Sequence, residues 1–130
     1  MVASPPPLKA AMHAHEKINY VELPSRDLAA TKRFFSAAFG WSFVDYGPEY
    51  AAFSSQGLDG GFFQAPLAAR TQAGSALIVF YSEQLEATLE KVVAAGGVIE
   101  QPIFDFPGGR RFHFCEPGGS EFAVWSEPAG

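Results

Sequence analysis

The sequence predicts an α+β fold in which two tandem βαβββ modules form one strongly curved eight-stranded mixed sheet, with the helices on its convex face. Short runs of alternating apolar and polar residues, typical of strands, surround two segments of helical periodicity. The order of strand, helix and three strands occurs twice. A shift of 57 residues places Leu28 on Leu85 and aligns the glycines that end the two helices, which indicates an internal duplication.

The first module opens with a strand over Ile18–Leu23, in which apolar and polar side chains alternate until Pro24 ends the run. A helix follows over Leu28–Phe39, with Ser25 or Asp27 in the capping position and a glycine after its last turn. The three short strands that complete this module are Trp41–Tyr46, Tyr50–Phe53 and Gly61–Gln64.

The second module repeats the pattern with a strand over Ala76–Tyr81 and a helix over Leu85–Ala95 that two glycines end. Its last two strands are joined by the turn Glu116–Ser120, because Pro and Gly favour tight turns. The three strands after the helix are Val98–Ile99, Arg110–Cys115 and Glu121–Trp125. Neither module is large enough for a core of its own, so we expect the two to share one.

Alternation assigns each strand residue to one of two faces. The helices are expected to cover the face formed by Val21, Leu23, Ile78, Phe80, Phe112, Phe114, Phe122 and Val124. The opposite face carries Tyr20, Glu22, Leu77, Val79, Tyr81, Arg111, His113, Cys115, Glu121, Ala123 and Trp125. A twisted sheet covered on one side curls, so this open face is expected to form a cleft or an interface.

Length and composition are those of an ordinary globular protein. At 130 residues we expect one domain over residues 17–127, built from repeats of about 17–66 and 75–127. Residues 1–16 are rich in Pro and Ala, show no periodicity and are expected to form a flexible tail. The 13 Phe residues predict a core of large side chains.

Charge and cysteine content exclude several classes of function. A net charge of −5 does not provide the basic surface that a nucleic-acid partner requires. Cys115 is the only cysteine, which excludes an intramolecular disulfide and a cysteine zinc cluster. No run approaches the ~20 apolar residues of a membrane span. Without a signal-peptide pattern, we expect a cytoplasmic protein that has no membrane partner.

Four segments resemble the vicinal oxygen chelate superfamily, which includes glyoxalase I, bleomycin-resistance proteins, fosfomycin-resistance proteins and extradiol dioxygenases. These segments are YVELPSRDL (20–28), FFSAAFGW (34–41), AAGG (94–97) and FCEPGGSEFAVW (114–125). The last is similar to the family ending F-x-D-P-x-G-N-x-x-E-L. The resemblance covers residues 17 to 127 and implies the fold more strongly than the reaction, because the superfamily hosts many chemistries.

The resemblance also implies where a divalent metal would be held. Family members that catalyse reactions hold one metal through His, Gln or Glu side chains on the open face. Those positions fall here on Tyr20, Leu77, Ala123 and either Phe62 or Gln64. Leu and Ala have no donor atom, and a neutral Tyr is a poor ligand for the metals this family uses. We therefore expect no cofactor, while Zn, Ni, Mn or Fe held by other ligands remains an open alternative.

The remaining polar residues of the open face suggest ligand binding or proton transfer. His113, with Glu22 or Glu121 across the cleft, is a candidate for acid–base catalysis. Arg111 could bind a carboxylate or a phosphate, and the tyrosines with Trp125 could form an aromatic wall. The predicted ligand-contact residues are Tyr20, Gln64, Tyr81, Arg111, His113, Cys115, Glu121 and Trp125.

Three functions are compatible with this reading. The first is a metal-free protein that binds a small molecule in the sheet cleft, as in the bleomycin-resistance branch. The second is a metal-dependent lyase, isomerase or dioxygenase with non-standard ligands. The third is metal-free acid–base catalysis by His113. We favour the first, with a small-molecule ligand and a homodimer as the expected partners.

Overall fold

The computed structural model describes residues 13–129. Their elements, in order, are β1 (Tyr20–Ser25), α1 (Leu28–Phe39), β2 (Phe43–Asp45), β3 (Tyr50–Phe53), β4 (Asp59–Gln64), a 3-10 turn (Thr71–Ala73), β5 (Ile78–Tyr81), α2 (Leu85–Ala94), β6 (Val98–Phe106), β7 (Gly109–Cys115) and β8 (Glu121–Ser126). The first module comprises β1–β4 with α1, and the second comprises β5–β8 with α2. The predicted α+β class and the two βαβββ modules are confirmed.

The eight strands are divided between two sheets, whereas the sequence predicted a single one. The orders are β1-β4-β3-β2 in the first sheet and β5-β8-β7-β6 in the second, with β1 parallel to β4 and β5 parallel to β8. Strands β1 and β5 are therefore edge strands. Alternation predicts which face a side chain joins, but it does not tell whether two strand edges come close enough to form hydrogen bonds.

The ends of α1 follow from local hydrogen bonds. Asp27 caps the helix, because its carboxylate accepts from the backbone N–H of Ala30 at 3.1 Å. Gly40 ends it in the left-handed conformation, with φ of 72°. The other capping candidate, Ser25, instead forms a hydrogen bond of 2.6 Å between its hydroxyl and that of Thr31.

The internal duplication extends to buried hydrogen bonds. The Ser25–Thr31 hydroxyl pair recurs 57 residues later as Ser82–Thr88, with a separation of 2.7 Å. In each module the serine hydroxyl also accepts from the backbone N–H two residues further on. The first strand and the helix of each module are thus joined in the same way, as the predicted repeat requires.

Strand β6 is longer than predicted. The predicted strand covered only Val98–Ile99, yet pairing with β7 continues to Phe106. The register shifts on both sides of Gln101, so Pro102 lies in an irregular stretch of an edge strand, where a missing N–H is tolerated. Trp41, predicted to begin β2, lies instead in the core, with its ring 4.5 Å from that of Phe35.

Phenylalanine fills the core between the modules, as its abundance predicted. The rings of Phe34 and Phe35 on α1 lie 5.6 Å from Phe114 and 5.2 Å from Phe122, respectively. The first helix therefore packs on the sheet of the second module. The fully buried side chains include Phe34, Phe35, Phe62, Leu85, Val92, Phe112, Phe114, Phe122 and Val124.

The N-terminal prediction falls largely on residues 1–12, which lie outside the described part. The domain bounds 17–127 stay a prediction. Within residues 13–129, no helix has the length and apolar character needed to cross a membrane.

Candidate functional site

A chain of hydrogen bonds connects Arg111 to Glu121 through His113. Nε2 of His113 lies 2.9 Å from Nη2 and 3.2 Å from Nε of Arg111. Because a guanidinium only donates, Nε2 must accept, and the ring proton lies on Nδ1. Nδ1 donates to Oε2 of Glu121 over 2.9 Å. Both ring nitrogens of His113 are therefore engaged.

The Glu121 carboxylate is held on both of its oxygens. Oε1 accepts from the backbone N–H of Thr71 at 2.9 Å and from its hydroxyl at 3.0 Å. Nε of Arg70 lies 3.8 Å from the same oxygen. Burial acts to raise the pKa of Glu121, but the hydrogen bonds from His113 and Thr71 outweigh it and hold the pKa below its usual value. Glu121 is thus a fixed anionic support for the histidine.

The segment between β4 and β5 covers part of the sheet face that was predicted to be open. Ala69 accepts from the backbone N–H of Glu121 at 2.8 Å, and its own N–H donates to the Ser120 hydroxyl at 3.0 Å. Glu121, His113 and Cys115 are only 5%, 6% and 9% exposed. Alternation placed these three side chains on one face but could not reveal what covers them.

Arg111 is held against two aromatic rings that the sequence reading missed. Its guanidinium carbon lies 5.8 Å from the ring centre of Phe104 and 5.7 Å from that of Phe106, within cation–π distance. Both rings belong to the part of β6 that follows Pro102. The alternation of Ile103 and Asp105 with these phenylalanines was the signal that could have revealed the site.

A cavity of about 320 Å³ opens beside Arg111. Its lining residues are Val79, Phe106, Gly108, Arg111 and Trp125. Tyr81 packs against Trp125 edge to face, with ring centres 5.0 Å apart. Of the predicted ligand contacts, the structure therefore brings Arg111 and Trp125 to one cavity, with Tyr81 next to them. We call this cavity the arginine pocket.

A larger and mostly apolar cleft of about 570 Å³ involves the two edge strands β1 and β5. Its lining comprises Val21, Leu23, Trp41, Phe53, Gln56, Gly57, Leu58, Leu77, Ile78, Val79, Phe80, Tyr81 and Phe122. Residues from both faces of β5 contribute to it. The separation of the two sheets thus gives the molecule an apolar cleft, which we call the edge cleft.

On the first module, the open face carries a relay of two hydroxyls and a carboxylate. The Tyr50 hydroxyl donates to Oε2 of Glu22 at 2.9 Å and lies 2.8 Å from that of Tyr20. Since the only hydroxyl proton of Tyr50 is committed to Glu22, Tyr20 donates to Tyr50. Burial, followed by the hydrogen bonds with Tyr20 and Glu22, raises the pKa of Tyr50. Glu22 is therefore paired with Tyr50, while the partner of His113 is Glu121.

The internal repeat identifies the remaining metal position of the resemblance. Ala123 pairs with Val79 in the second sheet. The residue 57 positions before Val79 is Glu22, which pairs with Gly61 in the first sheet. By this register the counterpart of Ala123 is Gly61, and not Phe62 or Gln64 as the sequence indicated. Phe62 lies in the core, 0% exposed. The Tyr50 ring lies across this glycine, and a Cβ there would collide with the hydroxyl.

The side chains at these four positions do not fit a metal. Gly61, Leu77 and Ala123 have no donor atom. The fourth, Tyr20, is a phenol whose pKa is raised by burial, and its proton is directed to Tyr50. Nowhere in residues 13–129 do three or more His, Cys, Asp or Glu side chains form a group that could hold a metal ion.

Gln64 and Cys115 were also predicted to contact a ligand. Oε1 of Gln64 accepts from the N–H of Leu28 at 3.0 Å, and Nε2 donates to the carbonyl of Arg26 at 2.7 Å. Gln64 therefore holds the start of α1. Burial raises the pKa of the Cys115 thiol to about 11, so little of it is a thiolate near neutral pH.

A family model described as the glyoxalase/bleomycin resistance protein/dioxygenase superfamily matches residues 17–124. Among curated proteins, the chain is 28% identical over 116 residues to CFP32 of Mycobacterium tuberculosis, whose name describes it as a glyoxylase. It is 30% identical over 124 residues to the anthracycline biosynthesis protein DnrV of Streptomyces peucetius. Both alignments cover 82% of this chain but only 44% and 45% of the relatives, so the chain spans less than half their length.

Among solved structures, the chain resembles the genomically encoded fosfomycin resistance protein FosX of Listeria monocytogenes. The TM-score is 0.71 at 20% identity, and the match covers 87% of this chain and 94% of that one. At this level of identity the similarity shows the fold alone.

Proposed function

The chain belongs to the glyoxalase/bleomycin resistance protein/dioxygenase superfamily, and on that basis we propose that it binds a small molecule in the arginine pocket without the metal that many relatives use. The observation that carries this proposal is the Glu121–His113–Arg111 chain, which holds a guanidinium between two phenylalanine rings at the wall of a cavity. A preorganised cation beside aromatic rings is suited to ligand recognition.

Binding without a metal is supported by the residues that occupy the positions of the family's metal ligands. Three of the four positions carry no donor atom, and Tyr50 occupies the space above one of them. The open face of the first module therefore presents a closed hydrogen-bond relay where a metal site would be expected. The ligand would then contact the side chains of the second module that line the arginine pocket.

Binding is favoured over acid–base catalysis because the proton-transfer groups are already engaged. His113 uses one ring nitrogen for Arg111 and the other for Glu121, and it is 6% exposed. Glu22 accepts from Tyr50 instead of facing the histidine. In this arrangement His113 positions Arg111 and does not meet the ligand directly.

The proposal extends to the oligomeric state and the cellular location of the protein. We propose a homodimer, supported by the edge strand β6 and its apolar side chain Val98, which is 63% exposed and lies outside both pockets. The solution mass of the untagged chain tests this directly, and a monomer at micromolar concentration would contradict it. We also propose a cytoplasmic location.

Ligand binding is tested by thermal shift and tryptophan fluorescence with a panel of small aromatic compounds, in excess chelator. We expect a hit to raise the melting temperature and to change the Trp125 signal, and both effects to be smaller at the same ligand concentration in Arg111→Met. Arg110→Met is the matched control, because Arg110 pairs with Glu86 at the surface. Binding that appears only after a divalent metal is added would overturn the proposal.

A further inference from the structure

The arginine pocket and the edge cleft share one lining residue, Val79. This residue is 43% exposed. The pockets of about 570 Å³ and 320 Å³ each lie within the size range of roughly 300–1,000 Å³ that is usual for small-molecule sites. The two cavities are therefore adjacent, and a ligand that spans them would pass over Val79.

The two cavities differ in chemistry. The edge cleft is walled by aliphatic and aromatic side chains, among them Leu58, Leu77 and Phe53. The arginine pocket contributes a single charged side chain, Arg111. A ligand that fills both therefore needs an apolar body at one end and a group that accepts hydrogen bonds at the other.

Among residues 13–129, no carboxylate forms an ion pair with Arg111. Its guanidinium donates to the neutral ring nitrogen of His113, whereas Arg110 pairs with Glu86 and Arg70 pairs with Glu100. A half-buried guanidinium without a counter-ion attracts an anion, and its fork geometry suits a carboxylate or a sulfonate.

We infer that the ligand is an apolar molecule bearing one anionic group, with its body in the edge cleft and its anion on Arg111. This inference rests on the proposed function and adds the chemical class of the ligand. The apolar lining supplies most of the binding free energy, and the guanidinium selects for the anion.

Two dyes that differ only by a sulfonate test this inference. Anilinonaphthalene sulfonate is apolar and anionic, whereas N-phenylnaphthylamine is its neutral counterpart. We expect each to bind the 130-residue chain at one site per chain in excess chelator, the anionic dye about tenfold more tightly, since a charge-assisted hydrogen bond contributes roughly that much. Arg111→Met should abolish this preference, Arg111→Lys should retain most of it, and Arg110→Met should leave it unchanged.

Val79→Asp tests whether the ligand spans the two cavities, because it places a negative charge between them. We expect this variant to weaken both dyes, and the anionic one more strongly, whereas Val44→Asp should weaken neither. Val44 is a suitable control because it is 56% exposed on the edge strand β2. Circular dichroism melting shows that each variant is folded.

The outcomes separate the two proposals. If wild-type protein binds both dyes equally, or if Arg111→Met leaves the preference intact, the ligand class is wrong while metal-free binding stands. If neither dye binds, or if their binding falls as the chain self-associates over the edge cleft, the ligand class is also wrong. If binding requires an added divalent metal, the proposed function itself fails.

Discussion

The guanidinium of Arg111 donates to Nε2 of His113 across 2.9 Å. This contact makes the histidine an acceptor on that side and therefore a neutral donor to Glu121 on the other. His113 was a candidate base in the sequence. In the folded chain it accepts from Arg111 and donates to Glu121, and so orients the Arg111 guanidinium. The inferred ligand specificity depends on this relationship.

Replacing His113 with Leu should destabilise the protein. The variant leaves the buried Glu121 carboxylate without a partner on Oε2, and an unsatisfied buried group typically costs about 1–3 kcal/mol. Urea denaturation measures the loss. The control His15→Leu should show little change, because His15 has a side-chain exposure of 90%. An unchanged midpoint for His113→Leu would contradict the described hydrogen-bond chain.

Glu116 should make stability decrease as pH rises. Burial raises its pKa above the ordinary 4.5, although hydrogen bonds from Thr31 and from the backbone of Gly118 and Ser120 act in the opposite direction. Because the folded state binds its proton more tightly than the unfolded state, this contribution is complete below pH 4.5 and is lost as pH rises through the folded pKa.

The pH dependence of Glu116→Gln tests this assignment. The variant cannot titrate at this position, so its stability relative to wild type should improve from below pH 4.5 to neutrality. Denaturant midpoints at several pH values provide the measurement. Relative stability that worsens over that range would show that the pKa of the folded carboxyl is lowered instead.

Gly61 and Tyr50 should be strongly coupled. A methyl group at Gly61 would collide with the Tyr50 ring and displace its hydroxyl from Glu22, so Gly61→Ala should destabilise the fold. In a Tyr50→Ala background the same substitution should cost little, because the ring is gone. A double-mutant cycle of denaturation free energies measures this coupling, and additive effects would contradict the described contact.

Cys115 should react slowly with thiol reagents in the native protein. Its thiol is 9% exposed, with a pKa raised to about 11 by burial. At pH 8 we expect a disulfide-exchange reagent to label it far more slowly than in denaturant, where labelling should reach one equivalent. Fast native labelling would mean that the thiol is accessible.

Much of the fold could be predicted from the sequence. The helix over Leu28–Phe39, the repeat of 57 residues and the burial of Phe112 and Phe114 follow from periodicity, caps and alternation. The length of β6 could not be predicted, because a Pro usually ends a strand and the tolerance of Pro102 depends on its place at the edge of the sheet.

The site was only partly predictable. Arg111 and Trp125 were placed on the correct face by alternation, and the structure brings them to one cavity. The rings of Phe104 and Phe106 lie against the Arg111 guanidinium. Both belong to the part of β6 that the sequence did not predict as a strand. The edge cleft depends on the separation of β1 and β5, which is a property of three-dimensional packing that no local pattern encodes.

The metal content of the untagged 130-residue chain tests the central claim most directly. Elemental mass spectrometry should find well below one equivalent of Zn, Ni, Mn or Fe per chain, and adding these ions should leave the melting temperature unchanged. One equivalent of a divalent metal, with a melting temperature that falls when a chelator removes it, would contradict metal-free binding because a specifically bound ion stabilises the native state.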